Sequence, residues 1–257
     1  MLLQRDSKLE AALSACISGR IGRPVHAFQR VASTMEIAHA LAAEGVPEGA
    51  LVWAARQDQG KGRLGRTWTS PDGGLYISII LRPTRAPAEI PQLSLVAGLA
   101  AAQAIQEHAK LFPSIRWPND LLISGKKVGG ILVEARDGVV VVGVGINVTT
   151  KLEDLPDTAT SLAAAGDEGE RDLCKLTGEL CRRLSEWYAV WQKEGFAPIR
   201  EALRPWMGHF GHPIHITAGA SRFEGTASDL DESGRLLVRL DSGIVRAFEM
   251  GEVALLR

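Results

Sequence analysis

Four short segments of the 257-residue chain carry residue types that could hold an anionic ligand: three place glycine beside cations or an amide side chain, and one sets an amide and a carboxylate in a turn. The first is Gly60-Lys61-Gly62-Arg63-Leu64-Gly65-Arg66-Thr67-Trp68. Its glycines let the backbone approach a ligand closely, while Lys61, Arg63 and Arg66 supply charge for a phosphate or a carboxylate. It is not a Walker A loop, because Gly-x-x-x-x-Gly-Lys-Ser/Thr is absent. Taken alone, it reads equally well as a solvated basic turn. The second is Arg116-Trp117-Pro118-Asn119-Asp120. Asn and Asp form tight turns, and both are small enough to face an adenosine hydroxyl or a metal-bound phosphate.

The third segment, Lys126-Lys127-Val128-Gly129-Gly130-Ile131-Leu132-Val133-Glu134, enters an apolar strand through paired glycines. Lys126 reads as a solvated turn residue. Lys127 falls at the rim of the sheet, where a point charge can face developing negative charge. The glycines point to a ligand packed against bare backbone. The fourth, Gly143-Val144-Gly145-Ile146-Asn147, sets two glycines in a central strand and an amide at its end. Asn147 there can exchange hydrogen bonds with a phosphate or a sugar. No third glycine and no helix follow, so this is not a dinucleotide fingerprint.

These segments need elements to hold them. Leu9, Ala12, Leu13, Cys16 and Ile17 have helical spacing. Val25, Phe28 and Val31 suggest an extended stretch. Ser33 with Glu36 three residues on predicts a capping box, and a helix over 35–44 that stops at Gly45. Strands are expected at 51–57 and 75–81, separated by a loop whose glycines and mutually repelling cations favour mobility until an anion binds. A long Ala/Leu helix is expected over 91–111. Further strands fall near 115–117, 121–123, 128–135 and 139–148, with hairpin turns at Ser124-Gly125 and Asp137-Gly138. Leu173, Leu176, Leu180, Leu184, Trp187 and Trp191 mark a second amphipathic helix. After Met207-Gly208 the alternation is short, which predicts a small β-barrel of four to six strands. The expected class is α+β, a mixed sheet with helices over 1–208 followed by the barrel over 209–257.

Lys plus Arg is 29 and Asp plus Glu 30, so no global charge draws the chain to nucleic acid or to an anionic membrane. Hydrophobic residues at 46% are enough for a large core. Cys16, Cys174 and Cys181 form no Cys-x-x-Cys pair, which argues against a disulfide framework and for a reducing compartment. With no leader-like segment and no run of 18 apolar residues, a cytoplasmic location is expected. His209, His212 and His215 would not converge on one ion, so no metal ligands are assigned.

Together with Ser33-Thr34, Gln57 and Leu75-Tyr76-Ile77-Ser78, the four segments resemble the biotin protein ligase family in order and spacing. The resemblance spans about residues 25–257. It is most specific in Trp117-Pro118-Asn119-Asp120 and Lys127-Val128-Gly129-Gly130-Ile131-Leu132. It implies a catalytic domain related to class II aminoacyl-tRNA synthetases and a C-terminal SH3-like barrel. It also implies activation of biotin by ATP with Mg²⁺, then transfer to a lysine of a biotin carboxyl carrier protein, with a homodimer possible in this family. Catalytic roles would fall to Lys127, Arg63 and Asp120, the last guiding the incoming amine. Ser33, Thr34 and Gln57 would hold the biotin ring. Gly60, Lys61 and Arg63 would wrap its carboxylate, with Lys127 at the carboxyl–phosphate junction and Gly130 and Gly143 as the floor. Arg63, Arg66, Trp68, Asn119, Lys127 and Asn147 would serve the nucleotide.

Two residues depart from the family pattern. Met35 stands where Asn is frequent, and Lys61 where Arg is frequent, which keeps the charge but loses the bidentate fork. A lipoate or octanoate ligase of the same fold would need an apolar tunnel, whereas Ser33, Thr34 and Gln57 favour a ureido ring. A non-catalytic biotin-binding regulator would leave the cationic loop and Lys127 superfluous. Some members carry an N-terminal winged helix that binds DNA; about 25 residues precede the matching region here, too few for one. The expectation is weak, sequence-independent DNA binding that fades with salt. A titration at physiological salt that showed saturable recognition of one sequence would overturn it.

Overall fold

The computed structural model describes residues 4–166, 169 and 171–256. α1 (Ser7–Cys16) starts at Asp6, whose carboxylate accepts from the Leu9 amide and satisfies one of the helix's free donors. β1 (Val25–Val31) leads into α2 (Thr34–Ala43). β2 (Leu51–Gln57) is followed by the glycine-rich loop, which returns as β3 (Gly74–Leu81). After a 3-10 turn over Pro87–Gln92 comes α3 (Leu93–Ala109). β4 (Ser114–Arg116), β5 (Asp120–Ile123), β6 (Lys126–Arg136) and β7 (Val139–Asn147) form a meander. α4 (Leu162–Ala165), α5 (Leu173–Glu194) and α6 (Ala197–Leu203) lead to the C-terminal strands. Those are β8 (Pro213–Ala218), β9 (Ser221–Leu230), β10 (Leu236–Leu240), β11 (Val245–Phe248) and β12 (Glu252–Leu255).

The first seven strands make one sheet in the order β1-β2-β3-β7-β6-β5-β4. β1 and β2 run parallel and the other pairs antiparallel, so the sheet is mixed. The expected turns close its hairpins. Ser124 and Asp137 both have φ 50°, and Gly125 and Gly138 both have φ 77°, the two positive values that a type I′ turn needs.

Alternation along β3 and β7 sorts the sheet's two faces. Leu75, Ile77, Ile79 and Leu81, with Val140, Val142, Val144 and Ile146, enter a large core with α3 and α5. On the opposite face, Ile80 and Val141 pack under Met35, Ala38 and Ala42 of α2. The next positions on that face of β7 are Gly143 and Gly145. By length and composition Pro87–Ala109 would suit a membrane span, but α3 is a core helix, most of it buried beneath the sheet and α5. Trp187 and Trp191 of α5 bury their rings there and donate their indole N–H groups to Gln103 at 2.8 Å and Gln92 at 2.7 Å.

Three expectations are corrected. The capping box does not form: Ser33 is the N-cap residue, but its hydroxyl makes no cap bond. The Thr34 amide donates instead to Gln57 Oε1 at 2.8 Å, and Glu36 pairs with Lys61, so tertiary partners displace the local cap. The helix expected over 91–111 begins two residues later and ends at Ala109, where Lys110 turns left-handed at φ 55°. The C-terminal strands form an open five-stranded sheet, β11-β10-β9-β8-β12. Among the described residues no pairing of β11 with β12 closes it into a barrel. Nor does this sheet keep a core of its own. Ile214, Ile216, Leu236 and Val238 join the same cluster as α3 and α5.

Hydrogen bonds stitch the two sheets together. Trp117, 2% exposed, donates its indole N–H to the Gly234 carbonyl at 3.0 Å. Trp117→Phe keeps an aromatic ring, removes the N–H and part of the bulk, and strands that carbonyl. The expected loss is about 1–2 kcal/mol of stability, seen as a lower urea midpoint at unchanged slope. An unchanged midpoint would mean that the bond contributes nothing.

Candidate active site

The site is built on bare backbone. Gly130 of β6 lies opposite Gly145 of β7, and Leu132 opposite Gly143, so all four share one face of the sheet. A Cβ at Gly145 would come 2.7 Å from the Trp68 ring, and one at Gly143 would come 2.7 Å from the Met35 sulfur. Atoms do not approach that closely, so only glycine lets the indole and the thioether lie on the sheet. Thr34, Met35, Gln57 and Leu132 make the walls, and Lys61, Gly62 and Arg63 come down from the loop as a lid. The enclosed cavity is small, about 60 Å³. A second cleft of about 310 Å³ adjoins it at Arg63, Trp68, Asn119 and Lys127, and runs out between residues 116–120 and β8 and β12. Small-molecule sites usually enclose roughly 300–1,000 Å³, so an extended ligand needs the outer cleft as well as the inner cavity.

One end of the cavity is polar and neutral. Ser78 Oγ donates to Thr34 Oγ1 at 2.8 Å, and Thr34 Oγ1 donates to Gln57 Oε1 at 3.0 Å. Gln57 Nε2 donates to Ser70 Oγ at 2.9 Å. With the Thr34 amide also on Gln57 Oε1, both lone pairs of that oxygen are taken. What is left for a ligand is one N–H of Gln57 and one lone pair of Thr34.

The other end is cationic. Lys127 Nζ lies 2.6 Å from Asp120 Oδ1 and 5.3 Å from the centre of the Trp68 ring. Arg116 holds the other oxygen of Asp120 at 2.6 Å. The backbone of Lys127 is pinned as well: its amide donates to the Thr158 carbonyl, and its carbonyl accepts from the Thr160 amide. Lys126, by contrast, is exposed. Arg63 donates to Asn119 Oδ1 at 3.0 Å, and Asn119 is fixed by its own bond to the Ile131 carbonyl. Burial pulls the pKa of Arg63 below its usual value, against the pull of Asp120 and Glu252, yet arginine stays charged. The loop cations do not simply repel one another. Lys61 pairs with Glu36 of α2 at 3.0 Å, and Arg66 pairs with Glu252 of β12.

The cavity thus gathers Thr34, Gln57, Lys61, Arg63, Trp68, Asn119, Lys127, Gly130 and Gly143, while Arg66 and Asp120 line the outer cleft. Three expected site residues lie elsewhere. Asn147 is 2% exposed at the end of β7, donates to the Thr160 carbonyl and lies outside the lining of both the cavity and the cleft. Ser33 is buried outside the cavity lining. Gly60 sits in the loop stem, where a Cβ would strike the Trp68 carbonyl at 2.3 Å. The residues added by the structure are Met35, Gly145, Arg116, Ser70 and Glu252. Alternation from Gly143 would have given Gly145, and Met35 and Arg116 stand beside or within the segments that carry the resemblance; nothing local in the sequence marks Ser70 or Glu252. His209 is buried, which pushes its pKa down to about 4, whereas His215 lines the outer cleft.

A mixed sheet whose glycine floor joins a neutral polar end to a cationic one defines an acyl-activating ligase of the biotin/lipoate type. Residues 27–150 match the Biotin/lipoate A/B protein ligase family, and residues 209–256 match the Biotin protein ligase C terminal domain. The chain belongs to the biotin protein ligases. It is 36% identical over 228 residues to the bifunctional ligase/repressor BirA of Bacillus subtilis, covering 85% of this chain and 70% of that one. It is 35% identical to the biotin–[acetyl-CoA-carboxylase] ligase of Paracoccus denitrificans, covering 78% of this chain and 88% of that one. Its fold is similar to the biotin protein ligase from Aquifex aeolicus in complex with biotin and ATP, with a TM-score of 0.79 at 30% identity over 91% of this chain and 99% of that one.

Lys127 and Lys126 are adjacent, yet only Lys127 lines the cavity. Lys127→Ala is expected to slow biotin-dependent ATP–pyrophosphate exchange about 10²-fold, the scale of one lost electrostatic donor. Lys126→Ala should leave the rate near wild type. Equal losses in steady-state assays would place the working lysine wrongly.

Proposed function

We propose that this chain activates biotin with ATP and transfers it to a lysine of a biotin carboxyl carrier protein. The observation that carries this reading is the pairing of one free donor and one free acceptor, on Gln57 and Thr34, at the neutral end of the cavity. A ureido ring presents the complement, a carbonyl for Gln57 Nε2 and an N–H for Thr34 Oγ1. A dithiolane or an alkyl chain would leave both groups unpaired, at about 1–3 kcal/mol for each buried group.

At the cationic end, the biotin carboxylate is already ionised at neutral pH and needs no general base. Its oxygen attacks the α-phosphorus, the bond to the β-phosphate oxygen breaks, and pyrophosphate leaves. Lys127 and Arg63 neutralise charge at that junction, and Lys61 can exchange Glu36 for the ligand's anion. In the second step a neutral lysine amine attacks the acyl carbon and AMP leaves. With Arg116 and Lys127 on its two oxygens, Asp120 serves best by aiming Lys127. Asn119, Arg66 and Trp68 border the outer cleft, where the nucleotide would extend.

ATP brings Mg²⁺, but Asp120 and Glu252, the carboxylates of the cleft, each already face a cation. Such an ion would ride on the nucleotide's phosphates and not on a protein cage. The same reading takes 1–208 as a catalytic domain akin to class II synthetases and 209–257 as an SH3-like unit, supported by the family match that begins at 209. Its three free cysteines suit a reducing, cytoplasmic setting.

Pyrophosphate exchange into ATP tests the reading. Biotin should support it, while lipoate and octanoate should not. Exchange that responds to lipoate or octanoate and ignores biotin would overturn it.

A further inference from the structure

We infer that Ser70 is a positioning residue that sets the orientation of the Gln57 amide, and so the hydrogen-bonding face that the cavity offers to the ligand ring. The inference rests on the biotin reading above. Ser70 is 5% exposed and stands at the return of the glycine-rich loop, paired with Gln57 across its stem. Its hydroxyl accepts from Gln57 Nε2 at 2.9 Å and donates to the Trp68 carbonyl at 3.1 Å.

The chain of bonds has one direction throughout. Ser78 donates to Thr34, Thr34 to Gln57, Gln57 to Ser70, and Ser70 to the Trp68 carbonyl. A carboxamide can rotate by half a turn at almost no steric cost, exchanging its donor and acceptor ends. In the observed orientation Gln57 Oε1 takes both Thr34 donors, and Nε2 keeps one N–H free. Reversed, the amide would aim N–H groups at the Thr34 amide, donor against donor, while its oxygen would take the hydroxyl of Ser70 turned around. That turn breaks the bond from Ser70 to Trp68. Ser70 is therefore the second anchor of the orientation, acting from the loop side as Thr34 acts from the helix side. Gly60 makes room for it. A Cβ there would lie 2.7 Å from Ser70 Oγ and 3.2 Å from Gln57 Nε2. Gly60 thus serves the ring without touching it. The same hydroxyl ties the ring-facing amide to the backbone of Trp68, whose indole covers Gly145 and lies beside Lys127.

Steady-state kinetics with the full chain test this. Ser70→Ala is expected to raise the KM for biotin roughly tenfold, the scale of one lost orienting hydrogen bond, with the KM for ATP and the saturating kcat near wild type. Ser70→Thr, which keeps the hydroxyl, should restore the biotin KM. In a Gln57→Ala background, Ser70→Ala should add nothing further, because the residue acts through the amide. Additive effects of the two alanines would overturn the inference. So would a rise in the ATP KM as large as that for biotin, or a threonine variant as impaired as alanine. These outcomes leave the biotin reading intact, whereas a wild-type enzyme that ignored biotin would sink both.

Discussion

Trp68 can pack onto the central sheet only because two facing positions, Gly130 of β6 and Gly145 of β7, lack side chains. That contact constrains the rest of the site. Any Cβ at Gly145 would lift the indole, and with it the loop that carries Lys61, Arg63 and Arg66. The cost falls on the sheet, since glycine weakens a strand. The sheet tolerates it because β7 is central, flanked by β3 and β6, and sends Val140, Val142, Val144 and Ile146 into the large core on its other side. The strand is thus stiff on one face and bare on the other, which is what a close-fitting ligand surface needs.

Charge is handled in a similar way. The site gathers several cations close together, yet carboxylates from α2, β5 and β12 hold them in place. Such pairs are partly exposed and contribute little to stability. They matter as placeholders. An incoming anion replaces one carboxylate by another acceptor, so the cations need not be gathered from solvent when the ligand arrives. Preformed charge of this kind lowers the reorganisation that a reaction otherwise demands.

Much of this was legible in the sequence, for identifiable reasons. Type I′ turns need positive φ at both central residues, so Ser124-Gly125 and Asp137-Gly138 announced the hairpins. Glycines inside apolar strands announced the floor, and Lys127 is separable from Lys126 because it directly adjoins Val128 and the paired glycines. The failures share a cause: the deciding partner lies far away in the chain. Ser33 was read as a cap because Gln57, which takes that role, is distant in sequence. Asn147 reads locally as a ligand contact, and its bond to the Thr160 carbonyl, which belongs to a later loop, is not visible there. Glu252 matters only through Arg66, a relation that no local pattern shows, whereas Arg116 acts through Asp120, four residues on in the same segment. The closed barrel failed differently. Alternation predicts strands but says nothing about whether the first and last of them meet.

The seam near residue 209 is visible in composition but absent from the packing. Gly234, at the β9–β10 turn, approaches Leu95 and Phe196 so closely that a Cβ would stand 3.2 Å and 3.4 Å from them. Ile214, Leu236 and Val253 share one core with α3 and α5. The C-terminal sheet is therefore not a detachable accessory. Cutting the chain there would bare the flank of Trp117, Leu95 and Phe196 to water, so the boundary that divides the sequence does not divide the core. Grafting this sheet from another ligase would mean transplanting half of an interface, and the graft would hold only if its partner residues on α3 and the 117–120 turn travelled with it.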